Sequence, residues 1–229
     1  MFNTEWKEKK IICFDLDGTL TDPGLGITNS VMHALNHYGI HVADRSELYK
    51  FIGPPLSQSF ERFYGFSHED AVHAVSVYRE YFSVKGLFEN AVYPGIEELL
   101  KTLKAQGKKI CLATSKPEVY AKQILEHFKL DGYFDFISGS LLNGDRTDKA
   151  EVITWAIQSL EAMGVTCNCD VMVMIGDREH DVIGGHKNDM AVIGVLFGYG
   201  SEEELKAAGA EAIAESVAKL HTLLTGEMI

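Results

Sequence analysis

The sequence predicts an α/β fold, a parallel sheet covered by helices on both faces, with a helical insert. Three observations predict it. Short, wholly apolar runs recur along the chain and end at Gly, Asp or Thr, as strands buried on both faces do. Amphipathic helical segments separate most of these runs, which implies βαβ units. Between the first run and residue 90, however, there is helical periodicity and no convincing strand.

The elements follow in order. Ile11-Ile12-Cys13-Phe14 reads as the first buried strand. Residues 27–38 carry Ile27, Val31, Ala34, Leu35 and Tyr38 at helical spacing, and Gly39 ends that helix. Helical pattern returns over 46–52, is broken by Gly53-Pro54-Pro55, and resumes over 56–64 and 68–83. Pro94-Gly95 opens a helix lined by Ile96, Leu99, Leu100 and Leu103. Ile110 to Ala113 is the second strand, ending at Thr114-Ser115, and a helix over 117–128 follows. Phe134 to Ile137 reads as a third strand. Asp148 caps a helix over 149–163, and Val171 to Ile175 is a fourth strand ending at Gly176-Asp177. A short helix from Asp181 to Lys187, a fifth strand from Val192 to Leu196, and helices over 201–208 and 213–224 complete the chain. Two domains are expected: a discontinuous core of residues 1–20 and 91–229, and a helical cap of residues 21–90.

The 229 residues carry a formal net charge of −12, with 46% hydrophobic and 24% charged residues. Such a chain can bury a sizeable core. Its acidity argues against nucleic acid or an anionic membrane as partner, since both require a basic footprint. It does not exclude a small anionic substrate, because a cation can reverse the field inside one cleft. The charged stretch over residues 1–10 lacks an apolar leader core, and no run is long enough to span a bilayer, so a cytoplasmic protein is expected. Of the four cysteines, Cys13 and Cys111 read as buried hydrophobes, and Cys167-x-Cys169 lacks the second pair a zinc site needs.

Four strand ends bring polar groups to one sheet edge, where ligands of open parallel sheets bind. The first gives Asp15 and Asp17, the second Thr114 and Ser115, and the fourth Asp177 with Asp181 four residues on. The loop after the third leads to Lys149, a cation at a helix start, where the macrodipole disfavours it. Two acids two residues apart at a strand end call for a cation. Phosphoryl transfer through a carboxylate wants this set. Asp15 is the nucleophile, and Asp17 protonates the leaving oxygen and then activates water. Asp15, Asp177 and Asp17, the last through its carbonyl, hold Mg²⁺. Thr114, Ser115, Lys149 and the loop of Gly18 and Thr19 hold phosphoryl oxygens. Asp181 orients Lys149 or a metal-bound water.

The motifs Asp-Leu-Asp-Gly-Thr-Leu-Thr-Asp at 15–22, Ala-Thr-Ser-Lys-Pro at 113–117, Lys149, and Gly-Asp-Arg-Glu-His-Asp at 176–181 resemble the haloacid dehalogenase superfamily of hydrolases. The resemblance covers nearly the whole chain. The insert is similar to the small α-helical cap of the phosphoglycolate phosphatase-like branch. It implies a Rossmann-like core, Mg²⁺ dependence and hydrolysis of a small phosphomonoester such as phosphoglycolate or a nucleoside 5′-monophosphate. In that branch the third-motif lysine often stands in a Lys-Pro segment. Here Lys116-Pro117 follows Thr114 too closely for that task, which falls to Lys149. Phe51, Gly53 and Pro54 are the cap residues expected to select substrate, with core packing an equal account of Phe51. The partner expected is a small phosphorylated metabolite, and the protein a monomer or homodimer. A sugar phosphomutase of the same superfamily would use the same residues. A receiver-type signalling domain would also use a strand-end Asp, Mg²⁺, Thr and Lys. The chain is about twice the length such a module needs, and Asp17 would hasten the loss of its phosphoryl group.

Overall fold

The computed structural model describes residues 5–228. The first four residues of the charged N-terminal stretch, read above as free of a leader core, lie outside them. The chain divides into two compact units, residues 1–21 with 92–229, and residues 22–91.

The larger unit is built on a six-stranded parallel sheet of β1 (Ile11–Phe14), β4 (Lys109–Pro117), β5 (Phe136–Ser140), β6 (Met172–Gly176), β7 (Ala191–Val195) and β8 (Ala212–Ala214), in the spatial order β5-β4-β1-β6-β7-β8. Every residue of β1, β6 and β7 is buried, which is why these runs show no polar alternation. Sequence order runs outward in opposite directions on either side of β1, so the carboxyl end of this central strand faces the crevice that such a reversal creates. The helices are α4 (Ile96–Ala105), α5 (Glu118–His127), α6 (Lys149–Ala162), α7 (Glu179–Lys187), α8 (Glu202–Ala208) and α9 (Val217–Thr225). Val152, Ile153 and Leu160 of α6 and Val182 of α7 join Cys13, Cys111, Met174 and Val192 of the strands in one core cluster. Asp148 caps α6 by accepting a hydrogen bond from the Ala150 N–H. Asp135, just before β5, binds β4 and α4 together. It accepts from the Ile110 N–H at 2.9 Å and pairs with Lys104 at 2.9 Å and Lys109 at 2.8 Å.

The smaller unit holds α1 (Gly24–His37), a 3₁₀ helix over Arg45–Phe51, α2 (Leu56–Tyr64), α3 (His68–Tyr81) and a π turn over Phe82–Gly86. Ser67 caps α3, and Gly65 closes α2 with φ of +68°. Leu48, Phe51, Phe60 and Val77 are among the residues that form its interior.

Several expectations are corrected. Residues 21–90 are not free of strand: β2 (Thr21–Asp22) pairs with β3 (Ala91–Val92) where the chain passes between the units. Residues 212–214 form β8 rather than the start of a helix, and α9 begins at Val217. These strands are two and three residues long, too short to display a period. The helical pattern at 46–52 is a 3₁₀ helix over 45–51, and the third strand lies at 136–140, two residues later than its aromatic run suggested. The second strand continues to Pro117 through a register shift between Thr114 and Pro117 against β5.

Candidate active site

The carboxyl ends of β1, β4 and β6 and the starts of α6 and α7 bring together four carboxylates and two ammonium groups. Asp15, one residue past β1, is 4% exposed, and its Oδ1 accepts from Lys149 Nζ at 2.7 Å. Lys149, the first residue of α6, also donates to the Ala113 carbonyl at 3.1 Å and pairs with Asp181 at 2.8 Å. Burial opposes the charge on Lys149, but Asp15 and Asp181 outweigh it and hold the lysine pKa above its ordinary range. A lysine misplaced against the helix dipole is thus held by two acids.

Asp177 follows β6. Its Oδ2 accepts from the Tyr199 N–H at 2.7 Å, while its Oδ1 is buried without a hydrogen-bond partner. Burial, and then the charges of Asp181 and Asp15, push its carboxyl well above the usual carboxylate range. Asp181, at the third position of α7, accepts from the Arg178 N–H at 3.0 Å, and its own N–H donates to the Arg178 carbonyl at 3.0 Å. Burial raises its pKa too, against the pull of Lys149. Oxygens of Asp15, Asp177 and Asp181 lie within 4.8 Å of one another.

The Asp17 side chain stays out of this group. Its Oδ2 lies 2.8 Å from Lys116 Nζ, and its Oδ1 is buried without a hydrogen-bond partner. β1 ends at Phe14 and Gly18 turns at φ of +82°, so residues 15 and 17 no longer share one face as they would along a strand. Gly18 is required there: a Cβ would sit 2.2 Å from Asp177 Oδ2. Burial raises the Asp17 pKa, with Lys116 acting against it.

Thr114 is buried, and its hydroxyl accepts from the Lys116 N–H at 3.3 Å. The half-buried Ser115 accepts from the Ser140 hydroxyl through its carbonyl. Thr19 is fully buried. Phe51, Gly53 and Pro54 belong to the smaller unit. There Phe51 is 1% exposed and packs on Phe60 and Phe63, with ring centroids 5.1 and 5.6 Å away, so core packing accounts for it. Gly53, with φ of +103°, and Pro54 are half-buried. Sequence reading gave no role to Lys116. The signal for it was the lysine's position just past a strand end that already carried Thr114. Arg178 pairs with Glu204 at 2.8 Å and caps α7.

The residues suit a divalent cation. Four buried carboxylates, Asp15, Asp17, Asp177 and Asp181, face two buried ammonium groups, Lys116 and Lys149, which leaves two formal negative charges. The unpartnered Asp177 Oδ1 and the raised pKa values of Asp17, Asp177 and Asp181 mark a site short of positive charge.

Residues 12–195 match the family model described as haloacid dehalogenase-like hydrolase. The chain belongs to that family. It is an enzyme of the family's phosphatase type. Among relatives, it is 50% identical over 196 residues to a protein of Pseudomonas aeruginosa named 5′-nucleotidase, covering 86% of each chain. Over 191 residues it is 37% identical to the tyrosine-protein kinase PtkA of Mycobacterium tuberculosis, covering 83% of this chain and 63% of that one. Among solved structures, that of a predicted phosphatase from Clostridium acetobutylicum is 52% identical, with a TM-score of 0.91 over 96% of this chain and 99% of the other. Among the described residues of this family member, no helix is long and apolar enough to cross a membrane.

Proposed function

We propose that this haloacid dehalogenase-like hydrolase is a Mg²⁺-dependent, cytoplasmic phosphatase that cleaves a nucleoside 5′-monophosphate through an aspartyl-phosphate. The division between the two β1-end acids carries the reading: Asp15 faces Lys149 and the acids of β6 and α7, whereas Asp17 faces Lys116. Asp15 attacks phosphorus and the bond to the leaving oxygen breaks. Asp17 gives that oxygen its proton. It then takes a proton from the water that attacks the aspartyl-phosphate, releasing phosphate and restoring both carboxyl groups. Lys149 holds the Asp15 carboxylate in place and, with Thr114 and Ser115, offers positive or hydroxyl donor groups to the phosphoryl oxygens, whereas the Gly18 and Thr19 N–H groups expected to join them donate instead to the Thr21 and Leu16 carbonyls. Asp15 and Asp177, with Asp181 beside them, would hold Mg²⁺, which supplies positive charge against the phosphoryl group when bound.

The nucleotide is favoured over phosphoglycolate by identity: 50% to the Pseudomonas 5′-nucleotidase against 23–25% to three proteins named phosphoglycolate phosphatase. We assign residues 22–91 the part of a substrate-selecting cap, on the strength of their insertion just after the loop that follows β1 and carries Asp15 and Asp17.

A phosphate-release screen over phosphorylated metabolites with Mg²⁺ tests this. Nucleoside 5′-monophosphates should give the highest kcat/KM. A clear preference for 2-phosphoglycolate or for interconversion of sugar phosphates would reject the substrate, and hydrolysis unaffected by EDTA would reject the metal.

A further inference from the structure

The β4 terminus is built to deliver one side chain. Against β5, Thr114 is in register with Gly139 and Pro117 with Ser140, so β4 advances three residues while β5 advances one. This bulge holds Ser115 and Lys116. Such bulges bend a strand and re-aim its side chains. Residues on both strands support it. The Ser140 hydroxyl donates to the Ser115 carbonyl at 2.8 Å, and the Lys116 N–H donates to Thr114 Oγ1 at 3.3 Å. A Cβ on residue 139 would come within 2.7 Å of the Lys116 carbonyl and 2.6 Å of the Glu118 Cα, so only glycine fits opposite the bulge. The lysine so delivered is 9% exposed, and its ammonium lies 2.8 Å from Asp17 Oδ2. Burying a lysine is unfavourable without a partner, and here the partner is the one site carboxylate outside the Asp15–Asp177–Asp181 group.

We propose that Lys116 is the positioning residue for Asp17: the bulge places its ammonium so that the proton-carrying carboxylate is fixed at the leaving-group side of the site. The inference rests on the reading of Asp17 as acid and base given above. Lys116 makes no bond to the reacting atoms; it acts through Asp17.

Pre-steady-state hydrolysis of p-nitrophenyl phosphate and of an alkyl phosphate tests this in Lys116→Met, Lys116→Arg, Asp17→Asn and the Asp17→Asn/Lys116→Met double variant. The double variant leaves no buried charge unpaired and so keeps the test open if Lys116→Met does not fold. Nitrophenolate leaves without a proton. In Lys116→Met its release should therefore show a burst of about one per active site, followed by a steady state slowed about 10²-fold, while alkyl phosphate turnover falls similarly with KM little changed. Lys116→Arg should recover part of the loss. In the Asp17→Asn background, Lys116→Met should change the rate by less than about threefold. If Lys116→Met raises KM without a burst, or the two substitutions multiply in full, Lys116 acts on substrate and the inference fails while the Asp17 reading stands. If Asp17→Asn itself leaves both substrates' rates unchanged, the reading beneath it fails as well.

Discussion

At the residue scale the site works by assigning like groups to unlike partners. Asp15 and Asp17 are both buried carboxylates two positions apart, yet one meets Lys149 at 2.7 Å and the other Lys116 at 2.8 Å. Asp17→Asn should lower kcat by about 10²–10⁴-fold, the usual worth of a positioned acid–base group, with the circular dichroism spectrum unchanged. Asp177 gives a stability prediction. Its folded-state pKa lies above the unfolded value of 3.8, so the metal-free protein binds more protons folded than unfolded. Its stability is therefore penalised as pH rises from 3.8 through the folded value, and the penalty is complete above it. Asp177→Asn removes the buried charge. Metal-free melting at neutral pH should move to higher temperature, and the rise that Mg²⁺ gives the wild type should vanish. An unchanged Mg²⁺ response in the variant would show that the cation sits elsewhere.

At the element scale, loops rather than strands set the geometry. The segment after β7 presents the Tyr199 N–H to Asp177 Oδ2, and a Cβ at residue 200 would lie 1.8 Å from the Asp177 carbonyl oxygen. Gly200→Ala should therefore weaken Mg²⁺ binding by about 10–100-fold in calorimetry, the range for losing a residue that orients a metal ligand. Asp135 acts at the opposite ends of the strands. Burial alone would raise its pKa, but Lys109, the Ile110 N–H and Lys104 together hold it below the ordinary value of 3.8. A depressed pKa contributes stability that is present above 3.8 and is lost as pH falls through the folded value. Asp135→Asn should cost about 1–3 kcal/mol in urea melts at neutral pH, and this difference should shrink as pH falls below 3.8.

At the scale of the whole molecule, two compact units are joined through β2 and β3, and one of them carries all of the strand-end groups. Five of the six parallel core strands were legible as apolar runs, and three of the four motifs fall at the carboxyl ends of β1, β4 and β6, while the fourth, Lys149, opens α6. Lys149 was legible because a lysine at a helix start needs a reason. Three things were not legible. β8 is an Ala-Ile-Ala edge with nothing to distinguish it from helix. The partner of Asp17 depends on a bulge, and a bulge shows only when two strands are laid in register. Phe51 sits beside a Gly-Pro break that suggested a substrate loop, while its ring is held by Phe60 and Phe63. Removing Mg²⁺ with EDTA should silence turnover and restoring it should recover the activity, with the helix and sheet content unchanged, since the described core is closed by its own apolar packing.

The central claim is that Asp15 carries the phosphoryl group. It is tested most directly by acid-quenching the Asp17→Asn protein during turnover of p-nitrophenyl phosphate and mapping the peptide that contains residues 11–20 by mass spectrometry. The account predicts one phosphoryl group on Asp15, absent from an Asp15→Asn/Asp17→Asn control. Phosphate release with no covalent label, or with the label on another residue, would contradict it.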